Sequence, residues 1–246
     1  MNPDNIDIVL VHTTHSGNIG GVARAMKNMG LTRLTLVAPQ GYPAPEATWR
    51  AAAAVDVMEN ARVVDTLEEA IAECQFVVGT SARERRIPWP VQDARRCAER
   101  IAAHSGSERV AILFGREDRG LLNEELQRCN LHCHIPTHEG YQSLNLAMAV
   151  QIVAYECRMM QLEDRTDLPE DAEWDTPFAT ADDMTRFYAH LEETLVDIEF
   201  LNPQAPRQLM RRLKRLYNRV RLDEMELNIL RGILTETQKT AGRRSD

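Results

Sequence analysis

The sequence predicts an α/β protein: a parallel sheet covered on both faces by helices, with a small helical domain at its C-terminal end. Three observations carry that reading. Short apolar runs such as residues 6–11 and 110–114 alternate with helical patterns over residues 1–160, and strands apolar on both faces belong to buried parallel sheets. From residue 181 to 246 the apolar residues recur at helical spacing only. Between the two lies an acidic, Pro-containing segment over 161–180 with little apolar periodicity, which reads as a linker.

Taken in order, the first strand, over 6–11, is interrupted only by Asp7 and runs into the polar turn His12-Thr-Thr-His-Ser-Gly17, which opens a helix carrying Arg24. A strand over 34–37 follows, then a Pro-rich turn, an Ala-rich helix from about Glu46 and a short strand near Val63. Thr66-Leu-Glu-Glu69 starts the next helix with the spacing of a capping box, in which hydroxyl and carboxylate satisfy each other's backbone amides. Residues 74–79 read as a buried strand, 80–90 as a long basic loop ending in Pro-Trp-Pro, and 93–104 as a helix leading to the strand over 110–114. A strand over 131–135, stopped by Pro136, then passes through a loop with one glycine into a helix from Ser143 to about Leu162.

A chain of 246 residues can bury a full α/β core and still hold an extra unit. No apolar run approaches the roughly 20 residues a bilayer needs, and nothing resembles a secretion signal, so a cytoplasmic location is expected. The five cysteines, Cys74, Cys97, Cys129, Cys133 and Cys157, are odd in number and scattered through core elements, which fits reduced thiols. Cys129, His132, Cys133 and His134 suggest zinc by their proximity. On a strand, however, the two histidines share one face and Cys133 points to the other, so no metal is expected.

The net charge of −8 argues at first against a nucleic-acid partner. The average conceals a segregation. Residues 163–183 carry Glu163, Asp164, Asp167, Glu170, Asp171, Glu173, Asp175, Asp182 and Asp183 against Arg165 alone. Residues 207–221 carry Arg207, Arg211, Arg212, Lys214, Arg215, Arg219 and Arg221 and no acid. An anionic partner belongs on the second block, with Arg211, Arg212 and Arg215 as candidate RNA contacts. Three helices are expected here, over 182–200, 206–217 and 223–239. Their stripes are Met184, Phe187, Tyr188, Leu191, Leu195 and Ile198; Leu209, Met210, Leu213, Leu216 and Tyr217; and Met225, Leu227, Ile229, Leu230, Ile233 and Leu234. The alternative reading of this unit is a helical dimerisation element.

Three stretches carry chemistry. Asn18-Ile-Gly-Gly-Val-Ala-Arg24 opens the first helix, Gly115-Arg-Glu-Asp-Arg-Gly120 turns from a strand toward a capped helix, and Ile135 leads to Tyr141-Gln-Ser-Leu-Asn145. Each joins a core strand to a helix, where backbone amides and short polar side chains can meet a ligand without rearrangement. In this order they resemble the three motifs of the SPOUT class of RNA methyltransferases, and the resemblance covers residues 6 to 160. Gly79-Thr-Ser-Ala-Arg83, Pro88-Trp-Pro90 and Tyr141 extend the likeness to bacterial tRNA 2'-O-methyltransferases of that class.

The resemblance implies a deep C-terminal trefoil knot, a homodimer, S-adenosyl-L-methionine as cofactor and the ribose of cytidine or uridine 32 of the tRNA anticodon loop as substrate. It assigns the adenosine to Thr80, Ser81 and Ala82, to Gly115, Arg116, Glu117 and Gly120, and to Ile135, Tyr141, Gln142, Ser143 and Leu144. It makes Arg24 catalytic, with Asn18, Ser143 and Asn145 completing the site. Arg83, in the basic loop, is expected to support RNA binding or the site, the alternative being a solvated loop charge. Tyr141 is expected to stack on a base, close over the cofactor or fill the loop's apolar side. A guanidinium keeps its proton far above neutral pH, so Arg24 is expected to clamp a phosphate and polarise the 2'-oxygen rather than serve as a simple base. Two alternatives remain: the same chemistry on ribosomal RNA, and an RNA-binding module without catalysis. A dinucleotide-dependent dehydrogenase is disfavoured, because Gly17-Asn-Ile-Gly-Gly21 is not the Gly-x-Gly-x-x-Gly that a pyrophosphate needs.

Overall fold

The computed structural model describes residues 1–81, 90–162 and 176–242. Its strands are β1 (Ile6–Val11), β2 (Arg33–Val37), β3 (Arg62–Val64), β4 (Phe76–Thr80), β5 (Val91–Asp93), β6 (Val110–Phe114) and β7 (Leu131–His134). Among the described residues they form one all-parallel sheet in the order β3-β2-β1-β6-β4-β7-β5. Every residue of β1 is buried, including Asp7. That carboxylate is tolerated because Thr35 donates to it at 3.0 Å and Arg33 and Arg109 pair with it at 3.3 Å, so the buried charge is both neutralised and hydrogen-bonded. The short β5 has no counterpart in the sequence reading. Val-Gln-Asp lacks an apolar run, and β7 alone holds it.

The two faces are covered unequally. Alternate residues Ile6, Ile8 and Leu10 pack under α1 (Ser16–Asn28), α2 (Pro45–Ala51), α3 (Val55–Glu59), α5 (Ala94–Ser105) and α7 (Leu146–Leu162), while Val9 and Val11 face the short α4 (Leu67–Ile71) and α6 (Asn123–Leu126). The expected Ala-rich helix is broken at Ala52, φ 49°, with a 3-10 turn between α2 and α3. A run of alanines carries no breaker, so no local signal marks it. The break falls where α2 seats on α1: a Cβ on Gly20 would lie 2.1 Å from the Ala47 carbonyl oxygen. Gly21 does the same toward α7, where a Cβ would be 3.0 Å from that of Ala147.

The helix expected from Ser143 starts at Leu146. Asn145 caps it, accepting at Oδ1 from the Ala147 amide at 2.9 Å, and the preceding residues stay outside the helix. The C-terminal unit comprises α8 (Ala181–Asp197), α9 (Leu209–Val220) and α10 (Glu224–Gly242) around Phe187, Tyr188, Leu191, Leu222 and Leu227. Its stripes divide: Leu227, Leu230 and Leu234 face inward, whereas Ile198, Leu216, Met225, Ile229 and Ile233 are exposed. The unit docks on the sheet domain through the Ala181 amide to the Cys74 carbonyl and Asn218 Nδ2 to the Gln127 carbonyl, both at 3.0 Å. All five cysteines are free and buried. His132 and His134 each place a ring nitrogen on a backbone carbonyl, that of Leu126 at 2.9 Å and that of Ser81 at 3.0 Å. Among the described residues no helix is long and apolar enough to cross a membrane.

Candidate active site

Three loops meet at the carboxyl ends of β4, β6 and β7, where parallel α/β sheets place their ligands. Together they wall an open cavity of about 270 Å³. Thr80 and Ser81 contribute one wall; the Thr80 hydroxyl donates to the Leu113 carbonyl at 2.9 Å and the Ser81 amide to the Cys133 carbonyl at 2.9 Å, which fixes the exit from β4. The turn Gly115–Gly120 forms the second wall and closes on itself, with the Gly120 amide donating to the Arg116 carbonyl at 2.8 Å. Only glycine fits at either end. A Cβ on Gly115 would sit 2.1 Å from the Gly120 carbonyl carbon, and Gly120 has φ 67°. Ile135, Gln142, Ser143 and Leu144 complete the lining.

Two motif residues of this lining also bind the protein through their side chains. Arg116 forms a two-pronged pair with Glu125, at 3.0 and 2.9 Å, and Glu125 also accepts from the Leu122 amide, so the guanidinium braces the turn. Glu117 reaches across to the first motif. It accepts from the Thr14 amide and hydroxyl at 3.0 and 2.8 Å, from the His15 amide at 3.3 Å and from Asn18 Nδ2 at 2.9 Å. Asn18 Oδ1 in turn accepts from Asn145 Nδ2 at 3.1 Å. The carboxylate can only accept, so Asn18 must present its amide to it and its oxygen to Asn145, and the Asn145 oxygen is left to cap α7. Both amide orientations follow from the one anion. Burial opposes the charge of Glu117, but the hydrogen bonds from Asn18 and Thr14 outweigh it and hold the pKa at about 2. All three motifs are thereby tied into one chain of hydrogen bonds.

The remaining candidates are placed differently. Arg24 is exposed on α1, does not line the cavity, and has no hydrogen bond or ion pair with the described residues. Tyr141 is 77% exposed and lies outside the lining, so it does not fill the apolar side of its loop. Ala82 and Arg83 fall outside the described residues. On α9, Arg212 is exposed, Arg211 and Arg215 are half-buried, and Lys214 turns inward with its ammonium 5.7 Å from the Tyr188 ring centre. The lining also includes Asp118, Arg119 and Leu121, Cys133, and Leu146 and Ala149. Contiguity with Gly115–Gly120 could have found the first three. The spacing of three between Leu146 and Ala149 could have found the last pair only with the true start of α7 known.

A parallel sheet in which β7 lies between β4 and β5, with its cavity walled by the loops leaving β4, β6 and β7, agrees with the SPOUT class of RNA methyltransferases that the three motifs resemble. Comparison with known proteins places the chain within that class. The SpoU rRNA Methylase family matches residues 5–155, and the family described as tRNA methyltransferase TrmJ, C-terminal domain, matches residues 182–246. The chain is 54% identical, over 97% of its length and 95% of the relative's, to the tRNA (cytidine/uridine/adenosine-2'-O-)-methyltransferase TrmJ of Pseudomonas aeruginosa UCBPP-PA14. It is 51% identical, over 96% of both chains, to the tRNA (cytidine/uridine-2'-O-)-methyltransferase TrmJ of Escherichia coli K12. The crystal structure of TrmJ from Z. mobilis ZM4 superimposes with a TM-score of 0.80 at 33% identity, covering 94% of this chain and 97% of that one. The chain belongs to the SpoU methylase family and, within it, to the TrmJ methyltransferases.

Proposed function

We propose that this chain is an S-adenosyl-L-methionine-dependent tRNA 2'-O-methyltransferase acting in the cytoplasm as a homodimer on the ribose of nucleotide 32 in the anticodon loop. The observation that carries the reading is the glycine-turned cavity joined by the Glu117–Asn18–Asn145 chain to the helix bearing Arg24. The cavity fits the cofactor. It offers close backbone approach at Gly115 and Gly120, apolar surface at Ile135, Leu144 and Leu146, and polar groups at Thr80, Ser81 and Gln142. When bound, S-adenosyl-L-methionine supplies an electrophilic methyl group. The protein's part is positioning: the three loops hold the adenosine, Ser143 lines the cavity while Asn145 ties its loop to the first motif, and an Arg24 guanidinium clamps the phosphate beside the target and polarises its 2'-oxygen.

Two features support the homodimer. Arg24 does not line the cavity of its own chain, so a partner's Arg24 is available to complete it. In addition, Met148, Ile152, Tyr155, Met159 and Leu162 of α7 lie at alternating spacings of four and three, a continuous apolar seam that is exposed or half-buried. Residues 1–160 would form the methyltransferase domain, 161–180 the linker and 181–246 a tRNA-binding unit acting through Arg211, Arg212 and Arg215, with Arg83 as a further RNA contact. The position of β7 between β4 and β5, two strands that precede it in the chain, supports a knotted path. The base carried by the target ribose is the open point of specificity, since the Pseudomonas relative's name includes adenosine.

Incubation with methyl-labelled cofactor and either tRNA or ribosomal RNA tests the reading. Label is expected in tRNA, recovered as 2'-O-methylated nucleosides. Label confined to ribosomal RNA favours the first alternative, and none in either favours the non-catalytic one.

A further inference from the structure

We infer that Arg221 is a positioning residue for tRNA: it fixes the C-terminal unit, and with it the basic face of α9, against the amino-terminal edge of the sheet. The inference rests on the proposed contact between α9 and tRNA.

Arg221 follows α9 in the left-handed conformation, φ 58° and ψ 76°, which residues with side chains rarely adopt, and its amide closes the helix on the Tyr217 carbonyl at 3.2 Å. Its side chain crosses into the sheet domain. One guanidinium nitrogen lies 2.9 Å from His104 Nδ1, at the end of α5, and another pairs with Glu108, just before β6. The guanidinium carbon sits 3.9 Å from the ring centre of Phe178, in the segment leading into α8, and 5.3 Å from that of Phe76 in the sheet domain, so the cation contacts a ring on either side of the junction. Both charged partners are largely buried, with side-chain exposures of 11% and 14%.

His104 lies 3.5 Å from Glu108, but burial first, and then Arg221 and Arg100, push its pKa down to about 3. The ring is neutral, so it has a bare nitrogen to accept from the Arg221 guanidinium, which lies 2.9 Å from Nδ1 and 3.1 Å from Nε2, and the counter-charge of Glu108 is Arg221. The other two polar contacts named between the units end on backbone carbonyls and are neutral. A planar cation held between two rings and a carboxylate sets orientation as well as contact. Its partners Phe76, His104 and Glu108 stand at the amino-terminal edge, whereas the cavity opens beyond Thr80, at the other end of β4. Arg221 therefore cannot touch the cofactor, and its influence on the reaction runs through the placement of α9.

The test combines methylation kinetics with a distance measurement. Because all five native cysteines are buried, spin labels at Glu59→Cys on α3 and Glu236→Cys on α10, both exposed positions, report the separation of the two units by pulsed electron resonance. Arg221→Gln is expected to broaden that distance distribution and raise the KM for tRNA about tenfold. Its kcat at saturating tRNA and its cofactor affinity should stay at the parent values, a split that a general loss of folding does not produce. Arg221→Lys, which keeps the charge but not the plane, should fall between the two. Arg212→Gln with Arg219→Gln, at exposed α9 positions, should raise KM with the distribution left narrow. A narrow distribution in Arg221→Gln overturns the proposal. So does a broad one with unchanged KM, and if the α9 pair still raises KM, the reading of α9 survives. If the α9 pair also leaves KM unchanged, the tRNA role of α9 fails and the proposal with it.

Discussion

At the residue scale the site is organised by a carboxylate at its cavity wall that binds the first motif. Glu117 lies in the second motif, which the family resemblance assigns to the cofactor. Its partners Thr14, His15 and Asn18 are about a hundred residues distant, and no local pattern connects them. Its pKa is depressed from the ordinary carboxylate value of 4.5 to about 2, so the stability it contributes is fully present above about pH 4.5 and is lost as pH falls toward 2. Glu117→Gln should abolish that part of the acid dependence of thermal unfolding between about pH 2 and 5 and weaken cofactor binding at neutral pH. An acid limb identical in variant and parent would contradict the assignment. Arg24→Ala should behave oppositely: calorimetry should find S-adenosyl-L-methionine affinity nearly unchanged while turnover collapses, because the role proposed for Arg24 is at the phosphate and 2'-oxygen of the tRNA and not at the adenosine. A large loss of affinity would remove Arg24 from the role proposed for it.

At the scale of elements, strands are easier to read from sequence than helix boundaries. The runs over 6–11 and 110–114 coincide with β1 and β6 because a strand buried on both faces must be apolar throughout. Helix starts are set by tertiary contacts that local pattern does not show. Ser143 is as good a cap by residue type as Asn145, but Asn145 is held by Asn18 and so begins α7. Gly20 and Gly21 of the first motif are packing residues, which their spacing does not reveal. Gly20→Ala should therefore destabilise the protein by about 1–3 kcal/mol in chemical denaturation, since its Cβ meets the backbone of α2 and not a flexible side chain. Gly106→Ala, with nothing within 4 Å, should be neutral or stabilising by about 0.4–1 kcal/mol. On α9, neutralising Arg211 and Arg212 should flatten the logarithmic salt dependence of tRNA binding by about 0.7 to 0.9 for each phosphate that is no longer neutralised. An unchanged slope in a variant whose oligomeric state matches the parent's would remove α9 from the RNA surface.

At the scale of the whole molecule, the chain is a sheet domain with its candidate site at one edge and a helical unit bearing the basic α9 docked near the other. Charge segregation makes the second unit legible in the sequence. Its attachment is not, because Arg221 is one cation among seven in residues 207–221 until the fold brings His104, Glu108 and Phe76 to it. The exposed seam on α7 and the absence of Arg24 from the lining of its own cavity support the proposed homodimer. Mixing Arg24→Ala subunits with Gly115→Ala subunits, whose added Cβ would collide with Gly120, should restore activity through hybrids holding one intact composite site. Hybrids that form and stay inactive would contradict the composite site.

The central claim is methyl transfer to one ribose oxygen of tRNA, and it is tested most directly with two tRNAs identical except for a ribose or a 2'-deoxyribose at nucleotide 32. The account predicts methyl uptake from S-adenosyl-L-methionine by the first and none by the second. Equal uptake by both would place the methyl group elsewhere and contradict it.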